Sequence, residues 1–417
     1  MNVLRSLRHR SFALLWSGQT ISRLGDSFYK IALAWWVLEK TGSAKTMGTV
    51  LVLTQIPLLI FILIGGVVVD RLPRIRVMFT SDMLSGTIIA IIAVLAWMNV
   101  LEVWHIYLAS LLFGFVEAFF FPAYQAIIPQ LVPGEMLTSA NSLNGLSGRI
   151  TGIIGPSIGA ALVASGGTSL TFALDALSFF ISALFVFPML RGGIEARSVD
   201  QAPETQAKPK SLKESIRQGL AEMRQGFNVV MSIPWVWITI LIYGFVNMAE
   251  ASPRAVAMPF LIKDDLGADV ALLGIFGSMF SIGAIGGMIV LGQFKRLHRR
   301  GLIAYITPVI QGCLLLLFGF KFPIPVLVAS MFVYGVIFSV FGLIWNTTLQ
   351  EMVPHDMLGR VYSIDALGSF VFMPLGFALT GWATDLVGAP DIFLVGGVIT
   401  IMLGLLGLSL PAIRNLD

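Results

Sequence analysis

Charge is scarce in this chain. Of 417 residues only 12% are Asp, Glu, Lys or Arg and 56% are hydrophobic, about half the charged share of an ordinary soluble domain. That shortage excludes a string of soluble domains, whose surface could not be covered, and leaves the bilayer as solvent for most of the chain. Cysteine is nearly absent: Cys313 stands alone in an apolar run, which excludes a disulfide framework. The four histidines, His9, His105, His298 and His355, are scattered, and no G-x-x-x-x-G-K-[ST] phosphate loop occurs. Metal-cluster enzymes, histidine-based catalysis and an ATP-driven pump therefore lack their residues; no metal and no cofactor is expected. The alternating strands of about ten residues that mark a membrane barrel are missing. No cleavable leader is expected, because Arg5, Arg8 and Arg10 lead into a long span without a small-residue cleavage site. The first span is expected to stay as an anchor.

What the chain has is apolar runs of about 20 residues, the length that crosses a bilayer as a helix. Twelve are expected, centred near residues 25, 57, 87, 113, 152, 179, 246, 280, 310, 336, 374 and 401. Short breaks such as "DRLPRIR", "SGGTS" and "QFKRLHRRG" separate them, so the fold class is an all-α integral membrane protein. The stretch 191–231 differs: it is long and polar, linker-like at first, then helical in its periodicity over "SLKESIRQGLAEMRQGF", as a helix lying on the membrane surface would be. It divides the chain into 1–190, the linker with its surface helix at 191–231, and 232–417. With the amino terminus inside, nineteen Lys and Arg residues fall in inside segments and four outside, which puts both termini in the cytoplasm.

An internal repeat organises the two halves. "QLVPGEMLTSANSLNGL" (130–146) realigns with "EMVPHDMLGRVYSIDAL" (351–367) at an offset of 221, at which Gly114 meets Gly335, Tyr124 meets Trp345 and Gly155 meets Gly376. Two six-helix parallel repeats of this kind place a substrate site between the halves near the bilayer midplane. "GGVVVDRLPRIR" resembles the loop motif of the major facilitator superfamily, with Gly66, Asp70, Arg71, Arg74 and Arg76 matching and Pro73 in place of a glycine. "GIIGPSIGA" resembles that superfamily's antiporter motif through Gly152, Gly155, Pro156 and Gly159. "LLWSGQTISRLGD", "AIIPQLVPGEML" and "LDALSFFISA" are similar to the branch that holds bacterial macrolide exporters and the enterobactin exporter. The resemblance covers nearly the whole chain apart from the central loop. It departs at Phe113, where many drug/proton antiporters carry an arginine, and in "GQFKRLHRRG", whose second loop motif lacks the aspartate.

The sharpest candidates are charges at membrane depth, which are costly unless they face protein or water. Arg23, Asp26 and Lys30 share one helical face. Glu117, Arg149, Glu250 and Arg254 join them, with Asp175 and Asp365 nearer the aqueous ends. Asp26 and Glu117 are the first choices for carrying a proton; static pairing is the plainer role. Glu250 and Arg254 are spaced for an intrahelical pair, acid first. The resemblance implies that Asp70, Arg71, Arg74 and Arg76 form a gating latch at the cytoplasmic mouth, with Asp82 two turns further on as a partner. It also implies that spans one and four border the cavity, where Gln19, Phe120 and Tyr124 are candidates for contacting substrate; Asn144, Asn247 and Trp345, on other spans, are further candidates for lining it or bonding a ligand.

The expected function is secondary active, proton-coupled efflux of a hydrophobic or amphipathic small molecule of drug, macrolide or siderophore type. The alternatives are a lipid, lysolipid or metabolite carrier on the same fold, and, in a different class, a non-transporting scaffold or a membrane-embedded enzyme. The expected partners are the small-molecule substrate, protons and the lipid bilayer, with no nucleic acid, and the chain is expected to work as a monomer in the plasma membrane.

Overall fold

The computed structural model describes residues 3–69, 71–191, 212–291, 293, 298–354, 357–414 and 416. Asp70, Lys295, Arg296, His355 and the linker residues 192–211 lie outside the described residues. The rest is helical, with no strand among the described residues: α1 Arg10–Thr41, α2 Ala44–Val69, α3 Arg74–Trp97, α4 Val103–Leu131, α5 Leu137–Arg191, α6 Leu212–Ser232 and α7 Pro234–Ser252. These are followed by α8 Val270–Leu291, α9 Arg300–Gly319, α10 Ile324–Met352, α11 Leu358–Phe370, α12 Met373–Val387 and α13 Ala389–Ser409. Among the described residues, ten helical segments are long and apolar enough to cross a membrane. α1, with 32 residues, is also long enough, but stands outside those ten and carries Arg23, Asp26 and Lys30.

Three features depart from the expected spans. The loop expected at "SGGTS" is replaced by one non-helical residue, Gly167 at φ 73°, inside the 55 residues of α5. Glycine occupies positive φ without a Cβ penalty, so a single residue takes the place of a loop. The span expected around residue 374 is interrupted at 371–372, between α11 and α12. Beyond α7, the helix continues through two π-helical turns, Pro253–Ala257 and Leu261–Asp265.

Contacts divide the chain into two compact units, one of Met1–Trp36 with Leu53–Ile216, the other of Val37–Val52 with Arg217–Asp417. The first unit's core gathers Phe12 and Leu15 from α1, Met78 from α3, Ile127 from α4 and Leu143 from α5. The second has two clusters, one around Val236, Leu349 and Val361 and one around Tyr243, Tyr305 and Ile344. The second half of α6 packs on α11: Gly226 faces Arg360 and Ile364, and Arg360 donates to Gln225 Oε1 at 3.0 Å.

Without a hydrophobic force between helices in lipid, small residues let backbones approach. Each unit uses glycines this way, and in pairs. In the first, a Cβ on Gly65 of α2 would collide with the carbonyl oxygen of Ala118, and one on Gly114 of α4 with that of Thr54. In the second, Gly283 of α8 meets Phe332 O of α10 in the same manner, and Gly335 of α10 meets Phe280 O. The glycine singled out in the loop motif, Gly66, has open space at its Cβ position. The close contact belongs to its neighbour, because one residue turns the helix face by about 100°.

In the second unit, the first turn of α2 is capped by a side chain from α12. Asp385 accepts hydrogen bonds from Ser43 Oγ at 2.6 Å, Ala44 N at 2.6 Å and Lys45 N at 3.3 Å. A carboxylate there satisfies the unpaired amides of a helix start and meets its positive dipole end.

Candidate functional site

The first unit encloses a polar cavity of about 220 Å³. Its polar lining comes from α1 (Gln19, Ser22, Arg23, Asp26), α3 (Ser81, Asp82, Ser85) and α4 (Glu117, Gln125). Its apolar lining is aromatic: Phe120, Phe121 and Tyr124 from α4, Phe179 from α5. Phe120 and Tyr124 stack with ring centroids 6.0 Å apart and planes 9° from parallel, as four-residue spacing on a helix permits.

The antiporter-like segment of α5 brings α1 to this position. A Cβ on Gly155 would lie 2.6 Å from Ser27 Cβ, and one on Gly159 would lie 3.0 Å from Phe28 Cα. α1 is therefore seated against α5 on the residues that follow Asp26. The other side of the contact is also small, since Gly25 of α1 lies against Ser178 and Asp175 of α5.

Asp82 is the principal surprise. Expected as a partner for the loop arginines, it is 1% exposed and lines the cavity. Its Oδ2 accepts from Ser182 Oγ at 2.7 Å and from Gln19 Nε2 at 3.3 Å, while Gln19 also donates to Ser182 Oγ at 2.8 Å. Eight residues of helix rise about 12 Å, which carries Asp82 a full layer away from Arg74. Arg74 itself donates to the backbone oxygen of Ala126 at 3.1 Å. Asp175 is 1% exposed, with Oδ1 3.5 Å from Ser178 Oγ and Oδ2 unpartnered among the described residues.

Asp26 stands at the centre of these acids and interacts electrostatically with Asp82, Glu117 and Asp175, and with Arg23 and Lys30. No ion pair links Asp26 to either cation among the described residues. Arg23 turns elsewhere: Nη1 donates to Asn144 O at 3.3 Å, and its guanidinium lies 5.2 Å from the Tyr124 ring centroid. Asn144 thus enters through its backbone. Lys30 and Arg149 are exposed. The cavity therefore carries three carboxyls and one guanidinium next to an aromatic wall, so ionisable and apolar surface face one space. Where an arginine would stand in many drug/proton antiporters, Phe113 stacks on Tyr29 with centroids 6.2 Å apart.

The candidates in the second unit are held differently. Trp345 is buried, packs against Trp235 and donates through Nε1 to Asp365 Oδ2 at 2.8 Å. Ser369 Oγ donates to Asp365 Oδ1 at 3.0 Å, and Asn247 Nδ2 donates to Ser369 O at 3.1 Å. Glu250 and Arg254 pair at 3.5 Å. No group of three or more potential metal ligands forms among the described residues.

Similar proteins agree with this architecture. The sequence model of the Major Facilitator Superfamily matches residues 15–371 and 254–414. Macrolide efflux protein A of Streptococcus pyogenes is 25% identical, over 97% of this chain and 97% of its own. The enterobactin exporter EntS of Citrobacter koseri is 25% identical, over 95% of this chain and 92% of its own. Among solved structures, a bacterial homologue of the iron transporter ferroportin in an inward-facing state superposes with a TM-score of 0.72 at 16% identity, covering 96% of this chain and 99% of that one. A match over nearly the whole chain, on a bundle of membrane-crossing helices, makes this multi-pass membrane protein a transporter that belongs to the Major Facilitator Superfamily.

Proposed function

We propose that the chain is a proton-coupled secondary exporter of hydrophobic or amphipathic small molecules, of the drug, macrolide or siderophore type, working by alternating access in the plasma membrane. The observation that carries this reading is the cavity of about 220 Å³ in which Asp26, Asp82 and Glu117 share one space with an aromatic wall. Carboxyls grouped at membrane depth are expensive, and their retention is best explained by a charge that comes and goes. The relatives' names supply the class of cargo, since one is a macrolide efflux protein and another an enterobactin exporter.

In this reading the chain crosses the membrane twelve times, in six-helix halves 1–190 and 232–417 joined by 191–231, with both termini in the cytoplasm. α1 supplies one crossing and α5 two, added to those of the remaining long segments. Asp26 and Glu117 load protons; Asp82, held by Gln19 and Ser182, is a third member of that set. Arg23 fixes the mouth of the cavity between Tyr124 and the α5 backbone, and Lys30 sets the charge balance around Asp26. Gln19, Phe120 and Tyr124 contact the guest. Asp70, Arg71, Arg74 and Arg76 are the cytoplasmic latch.

The test is drug susceptibility and accumulation across a compound panel in an efflux-deficient host, with and without a proton ionophore at constant ATP. Lowered accumulation of at least one amphipathic compound, lost with the ionophore, is expected. Accumulation unchanged by expression, or export indifferent to the ionophore, rejects the reading.

A further inference from the structure

The second unit holds an ion pair that is poorly made for a static one. Glu250, at the end of α7, is 2% exposed. Arg254 approaches it with one contact, Nη2 to Oε1 at 3.5 Å, at the limit of a hydrogen bond, and its Nε donates to the Glu250 backbone oxygen at 3.3 Å. Glu250 Oε2 is buried with no hydrogen-bond partner among the described residues, and so is the hydroxyl of Tyr334. The Tyr334 ring lies 4.6 Å from the guanidinium carbon and that of Phe280 5.6 Å. A pair retained for stability would be expected to use both carboxylate oxygens in a fork and satisfy the remainder. This one leaves an oxygen bare.

The backbone singles out the same place. Arg254 sits in the π-helical turn Pro253–Ala257, directly after the α-helical turn that holds Glu250. Such turns are rare, and they occur disproportionately at functional positions because they loosen the helical ladder locally. Flanking positions of the helix are closely packed: Ala249 O and Pro253 lie against Gly396 of α13, and Ser252 lies against Gly376 of α12. The Arg254 side chain, one residue round from Pro253, meets the Tyr334 and Phe280 rings instead.

We propose that Glu250 is a proton-binding carboxyl of the second unit and that Arg254 is the cation its protonation releases, with Pro253–Ala257 as the joint. This deepens the proton-coupled reading and rests on it for its place in the transport cycle. A proton from one aqueous phase bonds to Oε2; the carboxyl becomes neutral, the guanidinium loses its counter-charge and shifts further onto the Tyr334 and Phe280 rings. Loss of that proton to the opposite phase restores the pair. Arg254 is the charged group facing Glu250. The other titratable neighbours are Tyr334 of α10 and Tyr243 of α7, the latter's hydroxyl held by Ala304 O and Thr307 of α9. α8, α12 and α13 bring Phe280, Gly376 and Gly396 to this region, none of them titratable.

The experiment uses the full chain in liposomes. Infrared difference spectra on acidification are expected to show a protonated-carboxyl C=O band that Glu250→Gln removes and Glu250→Asp keeps at a shifted position. Arg254→Lys should move the pH at which it appears. With radiolabelled erythromycin as probe, Glu250→Gln should lose uptake driven by an inside-acid pH gradient into these liposomes, yet keep exchange at equal pH. A band unchanged by Glu250→Gln, gradient-driven uptake that survives it, or loss of exchange as well overturns the proposal. If the wild-type chain itself shows no gradient-driven uptake, erythromycin is not its cargo, the export reading is decided by the compound panel, and the carboxyl band decides the proton switch: its absence from Glu250→Gln supports the switch and its persistence overturns it.

Discussion

The cavity acids of the first unit and Asp365 of the second are held on opposite principles. In the first, Asp26, Asp82 and Glu117 open onto one cavity and Arg23 is diverted to a backbone oxygen and an aromatic face. In the second, Asp365 has a neutral donor on each oxygen, from Trp345 and Ser369, and lies next to packed indoles. Two units with the same glycine-on-carbonyl packing between paired helices set these acids in different surroundings. Shared architecture therefore says little about shared chemistry; function is written in which side chains are left unsatisfied.

The repeat offers a direct way to break that contrast. Asn247 stands 221 residues after Asp26, the repeat offset. Asp26→Asn is expected to reduce ionophore-sensitive export to background at normal membrane levels, and adding Asn247→Asp should not restore it, because Asn247 donates to Ser369 O rather than facing a cavity of acids. Export assays on the single and double variants decide the matter. Recovery in the double variant would mean that the two units are interchangeable in coupling.

Much of this was legible beforehand, and what was not has a geometric cause. Apolar length located the helices, and the three-and-four spacing of Arg23, Asp26 and Lys30 identified one face of α1. Spacing gives a direction around a helix, however, and not the height at which a neighbour meets it. Asp82 lies on a face that can be aligned with Arg74 on paper, yet its height puts it beside Gln19 and Ser182. Asn144, a candidate for contacting substrate, also meets Arg23 through its carbonyl, a backbone contact that no side-chain pattern signals. Phe113 marked an absence in sequence, and its contact with Tyr29 required the tertiary fold. Asp70, the one acidic member of the loop motif, lies outside the described residues, so the latch stands on the resemblance.

A smaller effect tests what the units have in common. Gly114 and Gly335 occupy matching repeat positions, and each faces a carbonyl oxygen across its helix pair. Replacing either by alanine forces the helices apart, with an expected loss of about 1–3 kcal/mol, as overpacking of a tight contact usually costs. Thermal unfolding of the purified variants in detergent should show two losses of similar size. A loss at Gly114 alone would confine the shared packing to one unit and weaken the repeat as a structural principle.

The smallest effect bears on Tyr124 and Trp345, which the repeat pairs and the structure separates. Trp345→Phe keeps a ring against Trp235 but removes the donor to Asp365 Oδ2, so about 1 kcal/mol of stability should go with the hydrogen bond. The range of exported compounds should stay the same, because this indole faces the core of its unit. Tyr124→Phe removes a hydroxyl from a cavity-lining ring whose face Arg23 covers; since stacking with Phe120 and the cation–π contact survive, stability should change by less than about 1 kcal/mol. Its consequence should appear in the ranking of compounds, as a lost polar contact in a cavity otherwise walled by rings. Thermal shift and a susceptibility panel, run on both variants, read the two axes separately. If Trp345→Phe reorders the compounds while Tyr124→Phe does not, the guest is recognised in the second unit, and the cavity of the first serves protons alone.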